Sequence, residues 1–232
     1  MQKGDRPLFA YRREQVMAQT LDITWYGQAM FSISSPGLTV VLDPTPPETG
    51  YSYEPFPADV VLMTHQHFDH GFVQGVTGNP RVITASGSFD LGGLKVEGFD
   101  SFHDAKKGSE RGPNIIYTWE QAGIRLAHLG DLGDTPAPAV IKKLLKLDVV
   151  MMPVGGVYTI DAEQTVRLVR DIEPGIVLPM HYGTSQCAIP LEPVDEFTRR
   201  FGRTVRKVSE RPVEVSTGAI PSSTEVWVLP FE

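Results

Sequence analysis

The segment Thr64-His65-Gln66-His67-Phe68-Asp69-His70 follows directly on a short apolar run, Ala58-Asp-Val-Val-Leu-Met63. An apolar run of that length bounded by turn residues reads as a buried strand. The fold must therefore bring a buried strand end to the surface of a site. Imidazole and carboxylate ligands together suit zinc, iron or manganese. In an extended or turning segment His65 and His67 point to one side. Asp69 and His70, at the start of a following helix, reach a second point a few ångströms away. Four candidate ligands this close predict two adjacent metals rather than one. Three of the six histidines of the chain fall in this segment, which a surface turn with coincidental histidines does not explain.

Elsewhere the pattern is β, then alternating β and α. Leu21–Tyr26 and Met30–Ser34 alternate, and Leu38–Leu42 is a third strand ending at Asp43-Pro44. Gly27 and Pro36-Gly37 supply the turns of an antiparallel meander. The proline-rich stretch 45–57 is a loop. Val82–Thr84 and Leu94–Glu97 are further strands, and 114–120 with 123–128 form a hairpin around Gln121-Ala122. Apolar spacing predicts a helix over 139–147. Asp161 caps another that Pro174-Gly175 stops. Strands over 148–152 and 176–180, a helix over 193–201 and two or three last strands complete the chain. The strand 58–63 echoes Leu147–Met152, a hint of two related halves. The expected fold class is α/β: two mixed sheets packed face to face, with helices on the outer faces. Residues 1–20 read as an N-terminal extension with a short helix over Gln15–Gln19, and 21–232 as a single domain.

The chain has 232 residues, 41% of them hydrophobic and 21% charged, which suits one globular domain. A net charge of −7 argues against a general nucleic-acid binder. No run approaches the ~20 apolar residues of a membrane span, and the N-terminus has no apolar core of a signal peptide. Cys187 is the only cysteine, so no intramolecular disulfide forms, in keeping with a cytoplasmic location. Any metal site must then rest on nitrogen and oxygen ligands with at most one sulfur.

A dinuclear site needs more ligands than the first segment holds. His181 follows the strand 176–180, as His65 follows its own. His103 sits in the polar loop Ser101-Phe-His-Asp104, and Asp131 follows Gly130 beyond the strand 124–128. All are strand-end or loop positions, where sites are built on rigid scaffolds. Cys187 is too far from His181 in sequence to be argued as a ligand.

In this order, His65-x-His67-x-Asp69-His70, His103, Gly130-Asp131 and His181 resemble the motifs of the metallo-β-lactamase superfamily, over about 21–229. Met152-Pro-Val-Gly-Gly156 and Leu178-Pro-Met-His-Tyr182 look like its lactonase-like and phospholipase-D-like branch of small hydrolases. The resemblance implies an αββα sandwich. It implies that His65, His67 and His103 hold one metal, that Asp69, His70 and His181 hold a second, and that Asp131 bridges them. Asp43 matches the early Asp of the superfamily and would hold the histidine segment by hydrogen bonds. Related chains often carry His just after the glycine of the first turn; here the residues are Gly27-Gln28-Ala29, so the role of Gln28 is left open. His128 reads as a supporting residue rather than a ligand.

The implied function is hydrolysis of an ester, lactone or phosphodiester of a small molecule, with two divalent ions, zinc or alternatively manganese. A bound cation lowers the pKa of its water from 15.7 toward about 7, and the resulting hydroxide attacks while Asp69 orients it. No Gly-x-Ser-x-Gly elbow is present. Tyr182 is a candidate donor to a developing oxyanion. The loop Lys106–Arg111 offers basic groups to an anionic substrate, and Gly155-Gly156 permits close backbone approach. The rivals are an iron-dependent oxygenase on the same scaffold, which His67 disfavours because flavin-linked di-iron members often carry Glu there, a small phosphodiesterase, and a non-catalytic metal-binding protein. Oligomeric state and substrate are not legible.

Overall fold

The computed structural model describes residues 19–231. The extension up to residue 18, and with it nearly all of the helix expected over Gln15–Gln19, lies outside them. Two mixed sheets carry the molecule. The six-stranded sheet runs in the order Val213–Ser216, Thr20–Trp25, Phe31–Ser35, Leu38–Leu42, Val60–Leu62, Arg81–Ile83. The eight-stranded sheet runs Val205–Lys207, Glu225–Val228, Ile176–Met180, Val149–Pro153, Ile124–His128, Pro113–Gln121, Lys95–Phe102, Gly87–Asp90.

The expected meander is present. Thr20–Trp25 and Phe31–Ser35 pair antiparallel, as do Phe31–Ser35 and Leu38–Leu42. The alternation in the first strand turns Leu21, Ile23 and Trp25 into a core that also holds Ile116, Leu126 and Val150 of the other sheet. The two sheets therefore share one apolar interior. At about 25 cal/mol per Å² of apolar surface removed from water, this burial is the main force holding them together. The hairpin turns at Ala122 and Gly123, both at positive φ (49° and 71°), which matches the twist of the flanking strands.

The helices are less evenly spread than the sequence suggests. Pro138–Leu144, Ala162–Ile172 and Asp195–Thr198 all lie in crossovers of the eight-stranded sheet. Asp161 caps the second of these with a reciprocal capping box to Gln164. The crossovers of the six-stranded sheet carry only the 3₁₀ turns Pro47–Thr49 and Val73–Gly75 and the short strand pair Phe56–Pro57 and Val76–Thr77. Prolines 46, 47, 55 and 57 remove the backbone donors a helix would need there. Aromatic residues take the place of a helix: Tyr26, Tyr53 and Phe56 cover Met30, Val41, Val61 and Met63. The helix expected to begin at Asp69 is likewise a single turn, closed by His70 N–H on the His67 carbonyl at 3.1 Å. Phe72 N–H then leaves for the Pro44 carbonyl, 2.8 Å away, and the turn does not propagate.

Parallel strands fix where the site forms. Val60–Leu62 lies between Leu38–Leu42 and Arg81–Ile83, parallel to both. Val149–Pro153 lies likewise between Ile124–His128 and Ile176–Met180. The two echoing segments thus hold corresponding places in the two sheets. Ligand sites in open sheets form outside the carboxyl ends of such strands, and Asp43, His65, Asp131 and His181 all follow such ends.

Candidate metal centre

The histidine segment is clamped between the sheets. Met63 N–H donates to the Ile83 carbonyl (2.9 Å) and Ile115 N–H to the Thr64 carbonyl (3.0 Å). The Tyr117 hydroxyl donates to the Met63 carbonyl at 3.1 Å. Held in this way, the seven candidates converge from distant parts of the chain. They form two groups, His65 with His67 and His103, and Asp69 with His70, Asp131 and His181; within each group the ligand atoms lie within 4.8 Å of one another. Only His67 among them is exposed. The Nε2 atoms of His181, His70, His103 and His65 lie 3.1, 3.2, 3.2 and 3.8 Å from one oxygen, Oδ2 of Asp131.

The outer nitrogens of three rings decide what those Nε2 atoms are. Asp43 Oδ1 accepts from Thr64 N–H (2.7 Å) and its Oδ2 from the Thr64 hydroxyl (2.7 Å). The Thr64 hydroxyl has spent its proton on Asp43, so at 3.0 Å it can only accept from His65 Nδ1. His70 Nδ1 donates to Asp43 Oδ2 (3.0 Å), and His103 Nδ1 to the Tyr158 carbonyl (3.1 Å). In each neutral ring the proton is therefore on Nδ1 and the lone pair is on Nε2. Three lone pairs face an anionic oxygen, acceptor against acceptor. Such an arrangement requires positive charge at its centre.

Orphaned atoms mark the same place. Nε2 of His65, Nε2 of His70, Nδ1 of His181 and Oδ1 of Asp131 are buried without a hydrogen-bond partner, despite the close approaches to Asp131 Oδ2. Ligands at 2.0–2.2 Å around a tetrahedral ion lie about 3.3–3.6 Å from one another, a spacing like that found here. The donor set, imidazole nitrogens with carboxylate oxygens, suits zinc or manganese. The residues present fit a divalent metal centre.

Electrostatics agree. Burial opposes ionisation of Asp131, but the imidazoles of His181 and His70 outweigh it and hold its carboxyl well below the usual range. Burial also opposes a charge on His70, yet Asp131, Asp43 and Asp69 together push it well above its ordinary value. Burial, helped by His70, pushes His65 down to about 3, which keeps its lone pair free at neutral pH.

Asp131 is aimed by a buried network. Its N–H donates to Asn114 Oδ1 (3.0 Å), and Asn114 Nδ2 donates to Ser101 Oγ (2.8 Å) and the Leu129 carbonyl (2.9 Å). Gly130 precedes it with φ of +55°, and a Cβ there would lie 2.3 Å from Asn114 Oδ1. Only glycine fits that approach. Asp43, Gln28 and His181 also sit in the left-handed region, with φ of 42°, 51° and 51°. Backbone strain thus collects around the site, as is common where side chains are held for function.

The structure settles several placements the sequence left open. Gln28 is fully buried, and its Nε2 donates to Asp69 Oδ2 at 3.0 Å. Its carbonyl accepts from His181 N–H at 2.9 Å, so it supports two candidate ligands. Its position beside Gly27 was the only sequence signal. His128 donates from Nε2 to the Ala29 carbonyl (2.9 Å) and accepts Gly130 N–H at Nδ1 (3.1 Å). Both nitrogens are used, so it is a supporting residue. Tyr182, the candidate oxyanion donor, is instead brought into the core, its ring 4.9 Å from that of Trp25. It is not among the residues lining the cavity over the site. Gly155 packs against the strand end bearing His181, its N–H on the His181 carbonyl at 3.1 Å. The Cys187 thiol is half-buried and donates to the Ile189 carbonyl at 3.3 Å, outside both groups.

The cavity has a volume of about 350 Å³ and opens over His67, Asp69, His103, Asp131 and His181. Sequence reasoning missed Tyr158 and Ile189, which loops bring to its wall. Of this loop, Glu110 and Arg111 line the cavity, and Lys106 pairs with Glu110 at 2.5 Å.

A family model described as the beta-lactamase superfamily domain matches residues 22–181, from the first strand to the last candidate ligand. The chain belongs to the metallo-β-lactamase superfamily. A structure of a metallo-β-lactamase superfamily protein from Thermotoga maritima is 33% identical, with a TM-score of 0.74, and the match covers 90% of this chain and 98% of that one. A relative from Methanoculleus marisnigri, named UPF0173 metal-dependent hydrolase, is 28% identical over 207 residues, 78% of this chain and 89% of its own. A UPF0173 protein of Pyrococcus abyssi is 29% identical over 188 residues, 71% and 84% of the two chains. The superfamily match accounts for the two face-to-face sheets and for the placement of the site at the strand ends.

Proposed function

We propose that the protein is a metal-dependent hydrolase that holds two divalent cations, zinc or manganese, and cleaves an ester, lactone or phosphodiester bond of a small substrate. The observation that carries this reading is the convergence of four imidazole Nε2 atoms on one oxygen of Asp131, three of them with the lone pair turned inward. His65, His67 and His103 would hold one cation, Asp69, His70 and His181 the other, with Asp131 between the two groups. The names of relatives such as the Methanoculleus marisnigri protein support hydrolysis. When bound, divalent cations supply water of lowered pKa and polarise the oxygen of the electrophile.

The residues of the chain do the rest. Asp69 lines the cavity and is tied through Oδ2 to Gln28, which leaves Oδ1 to accept from the attacking water and orient it. Burial opposes the charge on Asp69, but His70 and the Gln28 amide outweigh it and keep the carboxylate ionised. The cavity of about 350 Å³ is of a size to hold a small molecule.

Hydrolysis is tested with a panel of aryl esters, lactones and phosphodiesters before and after chelation. Expected is turnover of at least one class, lost on removal of metal and restored by zinc or manganese. Turnover indifferent to chelation, or none in any class after reconstitution, contradicts the proposal.

A further inference from the structure

Arg111 is the guanidinium at the wall of the cavity, and the described residues give it no ion pair. Its neighbour Glu110 is engaged by Lys106. Its own backbone is fixed: Asp104 accepts N–H groups from Lys106 and Gly108 at Oδ1 and from Glu110 and Arg111 at Oδ2, at 2.7 to 3.0 Å. Four donors on one buried carboxylate set the course of the loop. The guanidinium then lies over the Tyr158 ring, 5.3 Å from its centroid, and the carbonyl of the same Tyr158 orients His103. A guanidinium is a rigid planar fork of N–H donors whose geometry matches a carboxylate or a phosphate.

Arg111 also lines a second hollow of about 490 Å³, together with His67, Thr64, Thr84 and Asp100. The two hollows meet at His67 and Arg111. Phe68, 65% exposed, and Ile189 add an apolar margin to the first. An unpaired, preorganised guanidinium beside a reaction site in a chain of net charge −7 is suited to a planar or tetrahedral oxyanion.

We propose that Arg111 selects substrates carrying an anionic group, a carboxylate or a phosphate, beside the bond that is cleaved, with an apolar portion against Phe68 and Ile189. This rests on the hydrolase reading above. The test compares two esters with the same leaving group, neutral phenyl acetate and anionic monophenyl succinate, in wild type and R111M. A calorimetric titration with succinanilic acid, which keeps the carboxylate and ring but resists cleavage, runs in parallel.

Expected in R111M is a KM for the anionic ester raised about tenfold or more, with kcat within threefold and the neutral ester unaffected. R111K should recover part of the loss. Succinanilic acid should bind wild type about tenfold more tightly than R111M, with equal metal content in both. Should R111M not fold, R111Q takes its place. Equal effects on both esters, or an unchanged KM for the anionic one, overturn the proposal, as does equal or undetectable binding of succinanilic acid. If neither ester is cleaved but succinanilic acid binds in an Arg111-dependent way, the anion subsite stands, and the hydrolase reading fails only if the lactones and phosphodiesters of the panel are also left intact.

Discussion

Replacing Asp131 by alanine is expected to empty the centre: elemental analysis of D131A should find less than one ion per chain, and turnover should fall by well over 100-fold. Removal of a group that merely supports a ligand costs about 10–100-fold in metal affinity. Asp131 is placed at the convergence itself, with Nε2 atoms of four histidines within 3.8 Å of its Oδ2. Alanine leaves those rings without the carboxylate on which all four converge. D131N separates shape from charge, because the amide keeps the volume but not the negative charge. It should lose metal nearly as fully as D131A. Full metal content and turnover within threefold in D131N would contradict the bridging role.

Asp43 produces the second large effect, and it acts on stability as well as on metal. Its carboxylate is fully buried and accepts from Thr64 N–H, the Thr64 hydroxyl and His70 Nδ1. D43A orphans all three donors at once. Each buried donor left unpaired costs about 1–3 kcal/mol, so a loss of about 3–9 kcal/mol is expected. For a chain of this size that lowers Tm by roughly 6–36 °C. It also frees the rings of His65 and His70 to adopt the other tautomer, with a fall of about 10–100-fold in metal affinity. Thermal melts and competition with a metal-binding dye measure the two effects. D43N, which retains one acceptor oxygen, should lie between. A change in Tm below 2 °C together with unchanged affinity would refute the role given to Asp43.

The site was legible in the sequence where neighbours in the chain are also neighbours in space. His65, His67, Asp69 and His70 share one turn after one strand, and the spacing alone points to two groups. His103, Asp131 and His181 were legible because each follows a strand, where side chains leave the sheet together. Tyr182 was misleading because the backbone turns just before it. His181 leaves the strand end in the left-handed region, with φ of 51°, and beyond that turn Tyr182 packs on Trp25.

Other contacts depend on closure of the whole fold. Gln28 meets Asp69 across 41 residues, and Tyr158 meets His103 across 55; no local pattern encodes either pairing. The loop expected over 45–57 has a local cause. Apolar periodicity marks what must be buried, but the prolines between 46 and 57 deny that stretch its backbone donors, and Tyr26, Tyr53 and Phe56 cover the sheet instead. The alternation in Thr20–Trp25 and the capping box at Asp161 and Gln164 were legible because each rests on residues a few positions apart.

The measurement that bears most directly on the centre is the metal content of the purified protein, per chain, by elemental mass spectrometry. Close to two zinc or manganese ions per chain is the predicted result, because two groups of candidate ligands adjoin at Asp131. One iron per chain, or no retained ion after reconstitution with either metal, would contradict the account.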